Sequence, residues 1–273
     1  MNNNLTVFTN NNKEIYKDFL CGENNRNLQE EHSVFAEFLY GSQNYGLETE
    51  KSDVDTKVIV LPSLRDLVDR NITSKTTTIS NGLADIKDIK TMFDQLYKSN
   101  PSYLEILASD YVIYDAPFRR YLEMLRNNAE LISLRDKKRL VHATYGTIMN
   151  KMSALMSKLG TNKEAIQKYG YDGKNASHVL RLEEFIKRIL SGEKLKDALN
   201  AKRYDNFEAI INIKEQRLDF ESVQHVCRDS ARNVFKLCKK DFEKPNDSAE
   251  ELLETISYEL IRENIRRSAE MGL

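Results

Sequence analysis

Two aspartates separated by a single valine are the feature that most restricts how this chain can fold. Asp53 and Asp55 lead into an apolar run at residues 55–61 that predicts a buried β-strand ended by Pro62. Side chains two residues apart on a strand point to the same face, so the two carboxylates can share one or two hard cations. Lys57 shares that face, where it either screens the carboxylates, contacts phosphate or forms an ordinary ion pair.

A glycine-serine pair precedes the aspartates. Residues 34–40 predict a short strand, and Gly41-Ser42 directly follows it, twelve residues before Asp53. Glycine lets the backbone approach a ligand closely, and backbone N–H groups together with a hydroxyl bind phosphate. Residues 43–47 predict a short helix. With the aspartates, this turn predicts half of a two-metal phosphoryl-transfer centre.

The order of these elements resembles the signature of the DNA polymerase β superfamily of nucleotidyltransferases. An isolated Asp-x-Asp is more often a solvated turn or a helix cap. Here the Gly-Ser pair, the following Tyr45-Gly46-Leu47, Ser52 and the apolar runs on both sides all favour the catalytic interpretation.

The pattern along the chain predicts an α+β fold, in which a small mixed-sheet domain is followed by an all-helical domain. Residues 76–80 and 83–89 predict a β-hairpin around Asn81-Gly82. After about residue 115, apolar positions recur every three or four residues, which is typical of helices. We therefore expect a nucleotidyltransferase catalytic domain over residues 1–115 and a helical domain over residues 116–273. The main predicted helices cover residues 118–127, 134–159, 176–190, 195–201, 221–242 and 248–271.

A third carboxylate usually comes from a neighbouring strand in the superfamily that the chain resembles. We predict Asp85, in a strand-like stretch, as the ligand of the metal that activates the attacking hydroxyl and as the acceptor of its proton. An ordinary surface charge is the alternative for Asp85, whose spacing from Asp55 departs from the family pattern. Asp88 is the second candidate, although a cap of the helix near Ile89 is its simpler interpretation.

A second cluster of polar residues follows the aromatic-glycine sequence at residues 169–173. On a helix that begins just after it, His178 and Arg181 are one turn apart and share a face, and Lys174 lies at its start. Such side chains bind bases and phosphates, whereas a capped surface helix with a basic flank is the simpler alternative. The predicted nucleotide-binding residues are Gly41, Ser42, Lys174, His178 and Arg181.

Three segments in order, residues 41–55, 98–105 and 169–181, resemble a subgroup of this superfamily in phages and bacteria. Its members are polymerase-β-like proteins associated with RNA ligases and RNA repair, and the resemblance spans roughly residues 34–190. It implies transfer of a nucleoside monophosphate from a nucleoside triphosphate such as ATP to an acceptor hydroxyl, above all an RNA end. The implied cofactor is Mg²⁺, or Mn²⁺, held by Asp53, Asp55 and Asp85.

The distribution of charge bears on the acceptor. The net charge is −1, but residues 119–203 contain 19 Lys and Arg against 9 Asp and Glu, a net charge of +10. A basic middle is consistent with a polyanionic partner such as RNA, and equally with ordinary solvated helix faces. Three other functions stay open: transfer of AMP to a protein, transfer to a small molecule, and a non-catalytic nucleotide-binding or scaffold module.

Three widely spaced cysteines, Cys21, Cys227 and Cys238, show no metal-ligand spacing and predict a reducing, cytoplasmic setting. We expect the last two to be small buried hydrophobes. No apolar run approaches the ~18 residues of a membrane-spanning helix, so no membrane partner is expected. The Asn-rich N-terminus lacks the apolar core of a secretory signal.

Overall fold

The computed structural model describes residues 5–9, 33–49, 52–79, 82–159 and 163–270. Contacts among these residues divide the chain into two compact units. The first unit comprises the residues up to 97, residues 102–135 and the residues from 246 onwards. The second comprises residues 98–101 and 136–245.

The first unit contains a mixed sheet, which in the described residues has six strands in the order β1-β6-β2-β3-β5-β4. β3 and β5 run parallel, and the other neighbouring strands run antiparallel. The predicted α+β class, a mixed sheet followed by helices, is confirmed. The strands are β1 (Leu5–Thr9), β2 (Val34–Tyr40), β3 (Asp55–Val60), β4 (Ser74–Ile79), β5 (Gly82–Asp88) and β6 (Tyr111–Asp115).

The two faces of this sheet differ in polarity because side chains alternate along each strand. Val58 and Ile86 are paired in the β3–β5 register and lie in the apolar core. One residue earlier, Lys57 pairs with Asp85, so this polar pair lies on the opposite face. Asp55, two residues before Lys57, belongs to the same polar face. The period of two thus separates a core face from a face that carries charged groups.

Helices follow and interrupt the strands. The one-turn α1 begins at Ser42, one residue before the start that the sequence predicted, and α2 follows its cap Ser63, where Asp66 completes a capping box. The described residues also contain 3₁₀ turns at Ala116–Phe118 and Ala201–Arg203. The helices are α1 (Ser42–Tyr45), α2 (Leu64–Asp69), α3 (Ile89–Tyr97), α4 (Pro101–Leu107), α5 (Arg119–Asn127), α6 (Ala129–Ser133), α7 (Lys137–Met156), α8 (Lys163–Tyr169), α9 (Gly173–Leu190), α10 (Leu195–Leu199), α11 (Phe207–Lys214), α12 (Phe220–Cys238) and α13 (Asp247–Glu270).

The last helix, α13, returns to the first unit. It packs against α3, α5 and α6 through an apolar face that includes Leu253, Ile256 and Leu260, all fully buried. Near its end, the buried Asn264 amide donates to the carbonyl of Pro62 over 2.7 Å. The structure therefore divides the chain differently from the boundary expected after residue 115, because residues 116–135 and α13 belong to the unit that contains the sheet.

The second unit is built around α9. This helix packs against α7, α11 and α12, and Leu182, Phe185 and Ile186 lie in its buried stripe. Cys227 on α12 is buried as expected, and burial raises the pKa of its thiol to about 12. Cys238 is half-buried, and Cys21 lies outside the described residues. No helix in the described ranges combines the length and the apolar character needed to cross a bilayer.

Candidate active site

The glycine-serine turn lies beside the second aspartate. Gly41 follows β2 with a positive φ of 76°, which favours glycine, and α1 starts at Ser42. A Cβ atom placed on Gly41 would lie 3.5 Å from Oδ2 of Asp55. The β2–β3 register, which pairs Tyr40 with Asp55, produces this proximity. The turn and the carboxylate are thus adjacent.

The two aspartates flank a buried valine. Val54 is buried, Asp53 is exposed and Asp55 is half-buried. β3 begins at Asp55, so Asp53 lies just before the strand on which the sequence argument placed both aspartates. The backbone N–H of Leu83, at the start of β5, donates to Oδ1 of Asp55 over 3.1 Å. This hydrogen bond orients one carboxylate oxygen and leaves Oδ2 on the side of the glycine-serine turn.

Gly82 gives β5 the room to pass close to the aspartate segment. A Cβ on Gly82 would lie only 2.1 Å from the carbonyl oxygen of Val54, a distance that no side chain tolerates. The sequence indicated a tight turn at this glycine, and β4 and β5 do form the predicted antiparallel hairpin. The structure adds a second reason for glycine, which is the close approach of two backbones next to Asp55.

Asp85 lies on the polar face and is held by two lysines. Lys57 Nζ is 2.8 Å from its Oδ2, and Lys87 Nζ is 3.0 Å from its Oδ1. Desolvation acts to raise the pKa of Asp85, but Lys57 and then Lys87 outweigh it and hold that pKa below its ordinary value. Asp85 is therefore an ionised carboxylate with both oxygens engaged.

Asp88, the second candidate for the third carboxylate, lies on the other face of the sheet. It pairs in register with Val60 and is buried, and desolvation raises its pKa. Its Oδ1 accepts the backbone N–H of Lys90 over 2.8 Å at the start of α3. This is the capping role that the sequence offered as the simpler interpretation, and it leaves Asp85 as the candidate on the polar face.

Lys57 is enclosed by aromatic rings as well as bound to Asp85. Its side chain is only 3% exposed, and Nζ lies 4.4 Å from the centre of the Tyr40 ring and 4.5 Å from that of Tyr103. Burial, and next the charge of Asp85, raise the pKa of Tyr103 to about 12, so this phenol is neutral. The sequence placed Lys57 on the correct face but did not reveal Tyr103, which comes from α4.

Glu105 also contacts the glycine-serine turn and was not among the predicted site residues. It is buried, and its Oε1 accepts the backbone N–H of Gly41 over 3.5 Å. The side chain of Asn44, on α1, donates to the Glu105 carbonyl over 3.2 Å. The signal available in the sequence was the family-like stretch over residues 98–105, which ends at this glutamate. α4 therefore holds the glycine-serine turn in place through Glu105.

The oxygen donors of this face suit a hard divalent cation such as Mg²⁺ or Mn²⁺. Asp55 begins β3 with its Oδ2 beside the turn, and the exposed Asp53 lies two residues before it. Within the ranges that the structure describes, no three or more His, Cys, Asp or Glu side chains are grouped in a way that would hold a metal ion. The arrangement is thus a pair of aspartates and a third aspartate bound to lysines.

The second unit gathers five basic groups from three helices. His178 and Arg181 are one turn apart on α9 and Lys174 lies at its start, as predicted. Lys151 on α7 and Lys214 on α11 lie near them. Desolvation, and then the charges of Arg181, Lys151, Lys174 and Lys214, hold the pKa of His178 well below its ordinary value. Desolvation and the charges of Lys174 and Arg181 also lower the pKa of Lys151. We call these five residues the basic cluster.

Close packing of helix ends brings Lys214 into the basic cluster. A Cβ on Gly173, the first residue of α9, would lie 2.5 Å from the carbonyl oxygen of Lys214. Asp172 caps α9 by accepting the backbone N–H of Lys174 over 2.8 Å. Lys151 and Lys214 were not predicted, because their place depends on how α7 and α11 pack against α9.

The stability of the second unit is expected to depend on pH through His178. Since its pKa is lower in the folded than in the unfolded chain, its contribution is complete above pH 6.5 and is lost as the pH falls toward the folded-state pKa. Denaturation in urea between about pH 8 and pH 5 should show this loss in the wild type and a smaller one in His178→Gln. His142→Gln, at an exposed position on α7, is the control and should keep the wild-type dependence. The prediction would be contradicted if the free energy of unfolding depended on pH equally in all three proteins.

A sequence profile of the RNA repair pathway DNA polymerase beta family (RlaP) matches residues 23–260. The chain belongs to this family. The match includes the glycine-serine turn, the three candidate aspartates and the basic cluster, so all of these residues lie within the part of the chain that is typical of RlaP proteins. The resemblance to RNA-repair-associated polymerase-β-like proteins is confirmed, and membership of the RlaP family supports nucleotidyl transfer as the general reaction.

The comparison with solved structures includes a nucleotidyltransferase-like protein from Exiguobacterium sibiricum 255-15. Its similarity to this RlaP family member has a TM-score of 0.33 with 13% sequence identity, and it covers 91% of this chain and 80% of that chain. No curated protein sequence matches the chain significantly.

Proposed function

We propose that the protein is a metal-dependent nucleotidyltransferase that moves a nucleoside monophosphate from a nucleoside triphosphate to a hydroxyl group at an RNA end. The observation that carries this proposal is the contact between the glycine-serine turn and Asp55, whose Oδ2 is 3.5 Å from the Cβ position of Gly41. A triphosphate held at the turn would lie next to the carboxylate that binds its divalent cation.

Each group on the polar face has a role in this reaction. Asp53 and Asp55 would hold Mg²⁺ or Mn²⁺, which when bound offsets the negative charge that develops on the transferred phosphoryl group. The Ser42 hydroxyl donates to a phosphate oxygen, and Gly41 leaves space for the phosphate near the backbone. Asp85 takes the proton of the attacking hydroxyl once one of its two lysine partners moves away. The bond from this oxygen to the α-phosphorus forms, the bond between that phosphorus and the bridging oxygen breaks, and pyrophosphate leaves.

The basic cluster favours a polyanionic acceptor. Lys151, Lys174, Arg181 and Lys214 lie near His178, and desolvation together with these charges lowers its pKa, so the imidazole is neutral and the four cations carry the positive charge. Lys174 is exposed, whereas Arg181 is buried. RNA carries phosphates that would offset the repulsion among these cations. Lys151, Lys174 and Arg181 belong to the stretch of residues 119–203, whose net charge is +10. These observations support an RNA acceptor over a small neutral molecule.

A labelling experiment tests the reaction and the acceptor together. The protein is incubated with each α-³²P-labelled nucleoside triphosphate, with Mg²⁺ or Mn²⁺, and with RNA, DNA or protein acceptors. We expect label on RNA that has a free 3′-hydroxyl and none on RNA that has a 3′-phosphate. Asp53→Ala/Asp55→Ala should transfer no label. Label on protein alone would favour the protein AMP-transferase, and triphosphate binding without any transfer would favour the scaffold module.

The binding of RNA should depend on salt through the basic cluster. Replacing exposed Lys174 by alanine removes one phosphate contact, so the slope of log K against log salt should decrease by about 1. Lys240→Ala, an exposed lysine that follows α12, is the matched control and should leave this slope unchanged. Fluorescence anisotropy of labelled RNA at several salt concentrations measures the slope for both variants. An unchanged slope in Lys174→Ala would remove the basic cluster from the RNA-binding surface.

A further inference from the structure

The Asp85 carboxylate already has partners in the structure, although its position on the polar face suits a metal ligand. Each of its oxygens contacts a lysine, Oδ2 with Lys57 and Oδ1 with Lys87. Thr76 on β4 also donates to Oδ1, over 3.5 Å. A metal ion that binds Asp85 must share or replace at least one of these partners.

The two lysines differ in how easily they can leave. Lys57 is 3% exposed and lies against the rings of Tyr40 and Tyr103, so moving it away removes a desolvated ion pair and two cation–π contacts. Lys87 is 20% exposed and already has a second partner, the hydroxyl of Ser74 at 2.9 Å. Lys57 is therefore the partner that resists replacement.

We propose that Lys57 competes with the divalent cation for Asp85. The Asp53–Asp55 pair therefore binds metal first, and Asp85 becomes a ligand only when the Lys57 ammonium moves away. The inference rests on the proposed function for the location of the metal. It follows from charge and geometry. Lys57 and Asp55 are two residues apart on β3 and share a face, so the Lys57 ammonium bound to Asp85 repels a cation placed between Asp55 and Asp85. Lys57 is thus a positioning residue that holds Asp85 in place and lowers its affinity for metal.

The test measures metal binding and not catalysis. Lys57→Met keeps a long apolar stem between the two tyrosines and removes the charge. We expect titration with Mn²⁺, followed by calorimetry and by electron paramagnetic resonance, to show binding at least about tenfold tighter at one site of Lys57→Met than in the wild type. Lys87→Met is the matched control and should show a clearly smaller gain. Lys57→Met/Asp85→Asn should lose the gain.

Unchanged Mn²⁺ affinity and stoichiometry in a folded Lys57→Met protein would overturn the inference, as would a gain that persists without the Asp85 carboxylate. Thermal unfolding without metal checks the fold, and Lys57→Gln serves as a second neutral variant if the methionine protein is unstable. The outcome is separable from the proposed function. An Asp85-dependent gain in Mn²⁺ affinity without transfer to any acceptor would support the inference and refute the function. Transfer to RNA without such a gain would support the function and refute the inference.

Discussion

Asp55→Asn is expected to reduce the rate of nucleotidyl transfer by roughly a thousandfold while the protein stays folded. Loss of the carboxylate charge removes a ligand of the cation that stabilises the transition state, which is worth several kcal/mol. The fold should persist because the asparagine side-chain oxygen can still accept the Leu83 N–H that Oδ1 accepts in the wild type. Single-turnover rates with labelled triphosphate measure the loss, and thermal unfolding measures the fold.

Two further variants make this result specific. Asp53→Asn should reduce transfer to a similar extent, and because Asp53 is exposed, it should change the free energy of unfolding very little. Asp69→Asn removes a carboxylate that pairs with Arg65 on the surface of α2, and it should leave the transfer rate unchanged. Rates within tenfold of the wild type for Asp53→Asn or Asp55→Asn would mean that this pair does not hold the catalytic cation.

Gly82→Ala should lower the free energy of unfolding by about 3 kcal/mol. The added methyl group would lie 2.1 Å from the carbonyl oxygen and 2.6 Å from the carbonyl carbon of Val54, and both are backbone atoms that cannot turn aside. Either β5 moves away from the sheet or the segment from Asp53 to Asp55 shifts, so transfer should fall together with stability. Urea unfolding and single-turnover rates measure the two effects.

Gly146→Ala provides the control for this substitution. Gly146 is an exposed residue within α7, and nothing lies within 4 Å of the position of an added Cβ. Alanine there should raise the free energy of unfolding by about 1 kcal/mol because it improves helix propensity. A similar loss of stability in both variants would show that the effect at Gly82 is not the approach of Val54.

Local patterns were enough to predict much of the sheet and most of the long helices. β2 and β3 were predicted because each apolar run ends at a strong breaker, Gly41 for one and Pro62 for the other. The predicted helix at residues 134–159 corresponds to α7, which begins later because Asp136 caps it by accepting the backbone N–H of Arg139. β6 was not predicted, although its aromatic and β-branched residues at 111–114 are typical of a strand. Its place between β1 and β2 depends on pairing with both.

The direction of each charged side chain on β3 could be derived from sequence alone, because the pleat alternates every residue whatever lies beside the strand. That argument placed Asp55 and Lys57 on one face of β3, whereas Asp53 lies before the strand begins. The sequence ranked Asp85 above Asp88, but it could not show that Asp85 pairs with Lys57, because that pairing depends on the parallel register between β3 and β5.

Longer-range features came from packing between segments that are far apart in the chain. Tyr103 reaches Lys57 because α4 lies near β3, and Lys151 and Lys214 join the basic cluster because α7 and α11 pack on α9. The helical period of α13 indicated an apolar face but not its partners, which are helices of the first unit. An amphipathic pattern indicates how much of its surface a helix must bury. Which segments cover that apolar face depends on the shape of the whole folded chain.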